Sequence, residues 1–377
     1  MRTVLVTGPG GAGRTTVAAA TALAAARSGT RVTLLTSDRL PGELGGLAGV
    51  TVRRIDSAAH FRAELLAFQD RAGVALDLLG ASRLDAEELT ELPGAEQLAL
   101  LSALREAAAD EPGLLVVDLP PADRALAALA LPEQLRRYLR RLLPPERQAA
   151  RSLRPVLAQL AGVPMPAQWL YETAARWDLE LAAVQAVIED PGTTVRLVAE
   201  PGPAAAEALR TARLGIAVQR LALDAVVANR LLPAETPDPW LAGLVAQQRK
   251  HLDELAGEFP AVREAAHLGR DPRGDDDLER LGIGPGPDGA PVPQWSIEDR
   301  LAEDDVLVWR LPLPGAVKDG LSLVRRGDEL LLTVGPFRRI AALPSALRRC
   351  TVTGAGLHDG VLEIRFAPDP ELWPRGR

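Results

Sequence analysis

Lysine is almost missing from this chain of 377 residues. Only Lys250 and Lys318 occur among its 43 lysine and arginine residues, so nearly all of its cations are arginines. The chain is also rich in glycine and proline, with 33 and 31 residues. A compositional bias of this kind replaces lysine by arginine wherever function tolerates the change. A site that normally requires lysine is therefore the most informative place in the sequence.

Cysteine is equally scarce, because Cys350 is the only one. A single cysteine excludes a disulfide within the chain and any metal or arsenic site built from several cysteines of one chain. The four histidines are His60, His251, His267 and His358. They are scattered without the spacing of metal ligands, and we expect them to be structural.

Long apolar runs and an excess of positive charge are absent too. No run reaches the length of a membrane span, and residues 1–7 are too short for the apolar core of a signal peptide. The net charge of −7 argues against nucleic acid as the main partner. We therefore expect a cytoplasmic protein that is not an integral membrane protein and does not bind nucleic acid.

What the sequence does contain is an alternation of strands and helices. Short β-branched or apolar runs predict strands at residues 3–7, 31–36, 50–55, 113–118, 193–199, 221–228 and about 261–268. Segments of helix length separate them, which is typical of an α/β fold with a mostly parallel sheet covered by helices on both faces. The length of the chain and its 47% hydrophobic residues suffice for two or more domains.

Three further regions follow from composition and pattern. Residues 126–189 show only helical periodicity, which predicts a helical insertion within a first domain of residues 1–284. The prolines that interrupt this periodicity are Pro144, Pro145, Pro155, Pro164 and Pro166. Residues 285–303 begin in a glycine- and proline-rich stretch and are expected to form a linker. Alternating runs with turn signals predict a small antiparallel β-sandwich over residues 304–368.

A glycine-rich loop at residues 8–16 joins the first predicted strand to an alanine-rich helix at residues 16–27. Glycines at such a turn let the backbone fold tightly, so that successive N–H groups and the helix N-terminus face an anion. Thr15 is placed to bind Mg²⁺, whereas the lysine that normally precedes it is replaced by Arg14. Arginine keeps the charge but presents a larger planar group. The alternative is a glycine-rich turn that opens an ordinary Rossmann-like helix.

Several segments occur in a recognisable order. The first is Gly8-Pro9-Gly10-Gly11-Ala12-Gly13-Arg14-Thr15-Thr16. The others are Thr36-Ser37-Asp38, Pro93-Gly94-Ala95-Glu96-Gln97, Asp118-Leu119-Pro120-Pro121-Ala122-Asp123-Arg124-Ala125-Leu126, Val227-Ala228-Asn229-Arg230-Leu231-Leu232-Pro233 and Arg270-Asp271-Pro272-Arg273-Gly274. They resemble, in the same order, the motifs G-K-G-G-V-G-K-T-T, S-T-D, P-G-x-D-E, D-T-A-P-T-G-H-T-L, V-N-R-V-L-P and E-V-R-G of the ArsA-type anion-transporting ATPases and their relatives that target tail-anchored proteins. The resemblance covers roughly residues 1–284 and implies a P-loop NTPase fold.

The resemblance implies a site for ATP or ADP with Mg²⁺. The implied nucleotide-binding residues are Gly8, Gly10, Gly11, Ala12, Gly13, Arg14, Thr15, Thr16, Asn229, Arg230 and Arg273. Thr15 and Asp118 fall on positions that hold the metal, and Asp38 falls on the base that activates the attacking water. Asn229 matches the asparagine that recognises the adenine edge. For the two aspartates, capping of the following helix is the alternative.

The chain departs from the family at both lysines of its loop. Arg14 replaces one, and Pro9 replaces the lysine that in the family reaches across a homodimer to the partner's phosphates. The resemblance implies a homodimer, or a heterodimer with a related ATPase. In relatives that carry membrane-protein clients the helical region supplies an apolar groove, which makes a protein client possible. For Leu142 and Trp177 in this region, packing in a helical core is the favoured interpretation.

The C-terminal region has a resemblance of its own. Its segments Leu311-Pro312-Leu313-Pro314-Gly315, Arg326-Gly327-Asp328-Glu329-Leu330 and Gly360-Val361-Leu362-Glu363-Ile364 are similar to the α-crystallin-type domain of small heat-shock proteins, which some members of the ATPase family carry. An I-x-I tail is absent. We therefore expect docking onto the ATPase domain as readily as self-assembly.

Three functional hypotheses follow. The favoured one is a nucleotide-binding protein with impaired hydrolysis that acts as a regulatory or chaperone-like module. The second is a slow but active ATPase coupled to a membrane-protein or other client. The third is a structural module that no longer binds nucleotide. Arsenite pumping is disfavoured because the cysteine cluster that would sense arsenic is missing.

Overall fold

The computed structural model describes residues 1–40, 46–71, 73–78, 80, 82–143 and 167–373. The five prolines predicted to interrupt the helical region, and with them residues 144–166 of that region, lie outside the described residues.

A seven-stranded sheet forms the centre of the first domain. Its strands are β1 (Arg2–Thr7), β2 (Val32–Thr36), β3 (Val50–Arg54), β4 (Leu114–Asp118), β5 (Thr193–Ala199), β6 (Ala222–Leu231) and β7 (Val262–Ala266). Their order in the sheet is β3-β2-β4-β1-β5-β6-β7, and every neighbouring pair is parallel. The prediction of a parallel sheet is confirmed, and each strand begins and ends within three residues of its predicted bounds.

Helices cover both faces of this sheet, as predicted. They are α1 (Arg14–Arg27), α2 (Ser57–Arg71), α3 (Gly73–Leu78), α4 (Ala95–Ala109), α5 (Ala122–Leu142), α6 (Ala167–Glu189), α7 (Pro203–Val218), α8 (Pro239–Glu258) and α9 (Asp275–Arg280). Because side chains alternate along a strand, Leu5 joins the core beneath α4 to α8, whereas Val4 and Val6 join the core beneath α1 and α9.

The described parts of the predicted helical insertion are the greater part of α5 and the whole of α6. Leu126 and Leu129 of α5 and Val184 and Ile188 of α6 are buried in the main core. These ends of the two helices therefore belong to the layer that covers the sheet.

The C-terminal region forms two antiparallel sheets packed face to face. One contains β10 (Leu321–Arg326), β11 (Glu329–Val334) and β12 (Phe337–Ala342), in that order. The other contains β8 (Ser296–Arg300), β9 (Val306–Pro312), β13 (Cys350–His358) and β14 (Val361–Pro368), in the order β13-β14-β9-β8. A short helix, α10 (Leu301–Asp304), follows β8. Alternate residues such as Leu330, Leu332 and Phe366 fill the space between the sheets.

The segment at residues 285–303 departs from the predicted linker in two ways. Its end forms β8 and α10, and β8 pairs with β9 as an edge of the sandwich. Its start is held against the first domain, because Arg2 donates to Pro285 O, and Arg196 donates to the O atom of the preceding residue, Gly284, at 2.9 Å. Arg196 itself is completely buried and pairs with Asp224 at 2.6 Å.

The sandwich docks onto α5 and α7 of the first domain. The guanidinium of Arg137 donates two hydrogen bonds to Glu329, of 2.8 and 2.7 Å, and Arg339 pairs with Glu133 at 3.1 Å. Leu214 of α7 lies in the apolar core of the sandwich. The docking expected from the sequence is therefore present in the chain.

Candidate functional site

The loop at residues 8–13 passes so close to neighbouring elements that two of its glycines are required. A Cβ on Gly8 would overlap the Val198 carbonyl of β5, and a Cβ on Gly13 would overlap the Asn229 amide of β6. Gly11 and Gly13 also adopt positive φ angles of 77° and 87°, which favour glycine. The loop therefore packs tightly against the sheet at the start of α1.

Two residues of β6 hold this loop by its carbonyl groups. The Asn229 amide Nδ2 donates to Ala12 O at 2.8 Å, and Arg230 donates to Gly11 O at 3.1 Å. Asn229 is 4% exposed. Asn229 therefore supports the loop through a hydrogen bond. The resemblance, which implies recognition of the adenine edge by this residue, did not predict that contact.

The backbone N–H groups at the start of α1 are available to an anion. The first N–H groups of a helix have no acceptor within the helix, and Val17 N is bonded to Gly13 O at 3.0 Å. The N–H groups of Arg14, Thr15 and Thr16 precede that bond. Together with the helix dipole, they form the kind of site that binds phosphate.

The side chain of Arg14 contacts the end of β4. Its guanidinium donates to the carbonyl of Leu119, the residue that follows β4. Its Nε is buried and has no hydrogen-bond partner within the described part of the chain. The cation at the lysine position is therefore engaged with the end of β4.

Two aspartates and two threonines converge at the ends of β2 and β4. Thr15 Oγ1 donates to Asp38 Oδ2 at 3.3 Å, and Thr36 Oγ1 donates to Asp118 Oδ2 at 2.8 Å. Thr36 also accepts from Asp38 N at 3.1 Å. Thr36 was missed as a site residue, although its place at the end of β2, two residues before Asp38, was a signal for it.

Asp118 is almost completely buried, and burial raises the pKa of its carboxyl above the ordinary value. Its Oδ1 has no hydrogen-bond partner among the described residues. A buried carboxylate oxygen without a partner, next to a threonine hydroxyl on Thr15, fits a Mg²⁺ ion with its bound waters. The residues present therefore fit the implied metal.

Of the predicted site residues, Arg14, Asp38 and Asp118 line a cleft of about 480 Å³ at the carboxyl ends of β2, β3 and β4. The loop glycines, Ala12, Thr15, Thr16, Asn229 and Arg230 do not line it. Its charged and polar lining includes Arg14, Ser37, Asp38, Arg54, Asp56, Ser57, Glu96, Gln97, Asp118 and Arg124. Arg54 and Arg124 were not predicted as site residues. Arg273, which was, is exposed and does not line the cleft; its backbone N–H donates to Asp277 at 3.0 Å.

Sequence comparisons identify the family of the chain. The model of the family described as "Anion-transporting ATPase" matches residues 1–41 and 49–281. The chain belongs to the anion-transporting ATPase family. A second match, described as "HSP20-like domain found in ArsA", covers residues 304–366, which make up most of the C-terminal sandwich.

Individual relatives of this anion-transporting ATPase family member span nearly its whole length. The chain is 65% identical to the Streptomyces coelicolor protein SCO2128, with 100% of both chains covered. It is 30% identical to protein Rv2184c of Mycobacterium tuberculosis, over 99% of this chain and 97% of the relative. It is 25% identical to the "Putative arsenical pump-driving ATPase 1" of Aquifex aeolicus, over 92% of this chain and 95% of the relative.

A second cavity, of about 440 Å³, lies between α2, α4, α5 and α6. Its lining is mainly apolar and includes Phe61, Leu98, Tyr138, Leu142 and Trp177. Leu142 and Trp177 are 78% and 49% exposed in the described part of the chain, so they line a cavity instead of filling the expected helical core.

The described residues contain neither a membrane-spanning helix nor a group of three metal-ligating side chains. None of the helices within them is long and apolar enough to cross a bilayer. They also hold no group of three or more histidine, cysteine, aspartate or glutamate side chains placed to bind a metal.

Proposed function

We propose that this anion-transporting ATPase family member binds ATP with Mg²⁺ at residues 8–16 and hydrolyses it poorly, and that it acts in the cytoplasm as a regulatory or chaperone-like module. The observation that carries the proposal is the contrast between an intact backbone cradle and the engagement of Arg14 with the Leu119 carbonyl. Binding depends mainly on the cradle, whereas turnover depends on cations.

The residues toward the nucleotide divide into those that bind and those that would act on water. The N–H groups of Arg14 to Thr16 would hold phosphate oxygens, and Thr15 and Asp118 would hold Mg²⁺. Bound Mg²⁺ would neutralise charge on the phosphates. Asp38 is exposed beside Thr15 and would orient a water molecule.

The expected loss of rate comes from the two missing lysines. Pro9 has no charge to place on a transferring phosphoryl group, and loss of such a cation removes on the order of 10³ to 10⁵ in rate. A weakened charged hydrogen bond at Arg14 costs about 1.5–3 kcal/mol, or roughly ten- to a hundredfold in affinity. Binding therefore survives more readily than turnover.

Calorimetry with ATP, ADP and a non-hydrolysable ATP analogue tests the binding step. We expect binding that requires Mg²⁺ and is lost in Gly13→Ala, because alanine at a φ of 87° would both strain the backbone and overlap Asn229. Gly29→Ala is the matched control, since Gly29 has a φ of 85° at the end of α1 and open space around it. Absence of binding to the unmodified chain would favour the structural-module hypothesis.

Phosphate release under saturating ATP tests the hydrolysis step. We expect the unmodified chain to be nearly inactive and the Pro9→Lys/Arg14→Lys double variant to gain turnover. Arg27→Lys, at the other end of α1, is the matched control and is expected to gain nothing. Fast release by the unmodified chain would instead support the active-ATPase hypothesis.

The partners of the chain belong to the same proposal. We infer a homodimer or a heterodimer with a related ATPase, on the strength of family membership. The apolar cavity between α2, α4, α5 and α6 supports a protein client. Trp177→Asp is expected to weaken binding of an apolar peptide without changing nucleotide affinity, and unchanged peptide binding would count against a client at this cavity.

A further inference from the structure

Arg124, like Arg54, is an arginine of the cleft that no described residue pairs with. It is the third residue of α5, is exposed, and lines the cleft together with Arg14, Asp38 and Asp118. It forms no hydrogen bond or ion pair with any residue in the described ranges. A free guanidinium on the wall of a cleft is available to an anionic ligand.

The position of Arg124 in the first turn of α5 destabilises the helix when no anion is bound nearby. The first turn of a helix carries positive partial charge, so an anion there stabilises the helix and a cation destabilises it. Asp123 follows this rule and Arg124 breaks it. Residues that break a local rule without a compensating contact are concentrated at functional sites.

The strand order shows which of the two unpaired arginines of the cleft, Arg54 or Arg124, lies nearer the phosphate loop. The loop follows β1, and α5 follows β4, which lies beside β1 at a strand spacing of about 4.8 Å. Ala122 N donates to Gly8 O at 3.2 Å, which ties the start of α5 to the loop. Arg54 ends β3, three strands from β1 and about 14 Å away by the same spacing.

The other contacts of the cleft leave a role open for Arg124. The guanidinium of Arg14 is engaged with Leu119 O, and Asp38 and Asp118 supply only negative charge. The phosphate at the end of a triphosphate carries the largest charge and lies farthest from the nucleoside, so it is the group most in need of a cation. A diphosphate lacks that group.

We propose that Arg124 contacts the γ-phosphate of bound ATP and so makes the site prefer ATP to ADP. This inference rests on the proposed nucleotide binding. It assigns to a residue of this chain the cationic contact that neither Pro9 nor Arg14 provides, and it makes the site a sensor of the γ-phosphate even where turnover is slow.

Calorimetry with the full chain, Mg²⁺ and either a non-hydrolysable ATP analogue or ADP tests the inference. We expect Arg124→Ala to weaken binding of the analogue by about 10- to 100-fold, the value of one charged hydrogen bond, and to leave ADP binding unchanged. Arg124→Lys should recover part of the lost affinity. Arg54→Ala, in the same cleft but farther from the loop, is the comparison variant and should weaken binding of the analogue less than Arg124→Ala does.

Each outcome separates this inference from the proposed function. If the unmodified chain binds neither nucleotide, the proposed function fails. If it binds both and Arg124→Ala weakens both equally or neither, the inference fails while nucleotide binding stands. A loss of analogue affinity in Arg54→Ala but not in Arg124→Ala would also overturn the inference.

Thermal unfolding without nucleotide tests whether a loss of affinity in Arg124→Ala comes from a less stable fold. Because a cation in the first turn of α5 is unfavourable, Arg124→Ala should unfold at the same temperature as the unmodified chain or higher. A clear decrease in that temperature would show that Arg124 supports the fold, and would contradict the role proposed here.

Discussion

Gly215 in α7 lies at a closely packed point between the two domains. An ideal Cβ at this position would lie 2.5 Å from Cζ of Phe337 in β12 and 2.6 Å from Cδ1 of Leu126 in α5. Real Cβ atoms do not approach other atoms this closely, so Gly215→Ala forces the aromatic ring or the helix to move. Phe337 packs against the cores of both domains, which leaves its ring little space to yield.

Two opposing effects set the magnitude. Alanine in place of glycine stabilises a helix interior by about 1 kcal/mol, whereas overpacking a filled core costs about 1–3 kcal/mol. We therefore expect Gly215→Ala to lower the free energy of unfolding by up to about 2 kcal/mol. Gly243→Ala in α8 is the matched control, because a Cβ at that position would have no atom within 4 Å; it should raise stability by about 0.5–1 kcal/mol.

Equilibrium unfolding in urea, followed by tryptophan fluorescence, measures both variants. Adding Phe337→Leu removes the two ring atoms that a new methyl group would overlap, so the double variant should be more stable than the two single changes predict. A coupling of about 1 kcal/mol is expected between these contacting residues. If Gly215→Ala raises stability as Gly243→Ala does, the tight docking of the two domains is wrong.

Three further predictions concern charged groups. Arg137 lowers the pKa of the Glu329 carboxyl in the folded chain. The pair therefore stabilises the docked domains at pH values above the unfolded pKa of this carboxyl, and the stabilisation is lost as the pH falls through the folded pKa. Glu329→Gln should remove that pH dependence and lower the free energy of unfolding by about 1 kcal/mol at neutral pH. Burial raises the pKa of the Asp118 carboxyl, so the stability of the fold falls as the pH rises from the unfolded pKa of this group through its folded pKa. Asp118→Asn should therefore raise thermal stability while abolishing Mg²⁺-dependent nucleotide binding. A loss of thermal stability in this variant would contradict this account. Asp224→Ala should cost about 3–5 kcal/mol in urea unfolding because it leaves the buried Arg196 unpaired.

The alternation of short apolar runs with helical segments was sufficient to predict the parallel sheet, because buried strands and amphipathic helices leave local periodic signals. The glycine spacing at residues 8–16 likewise predicted the loop and its place between β1 and α1. The resemblance to the family's motifs assigned Thr15, Asp38 and Asp118 to one site, and in the structure Thr15 donates to Asp38 while Asp38 and Asp118 line the same cleft.

Other features depend on contacts between distant parts of the chain, and local patterns cannot carry them. The engagement of Arg14 with Leu119 depends on β4 lying beside β1, and the support of the loop by Asn229 depends on the path of β6. Residues 296–300 carry no sign that they pair with β9, since pairing depends on the partner strand.

The sequence by itself therefore determined the fold class and the order of the elements, because these follow from local propensity and periodicity, and its motifs predicted the type of site. Only the tertiary structure decided which cations reach that site. It placed Arg14 at the end of β4 and Arg124 on the wall of the cleft. The surroundings of a long charged side chain are set by the elements that the folded chain brings next to it.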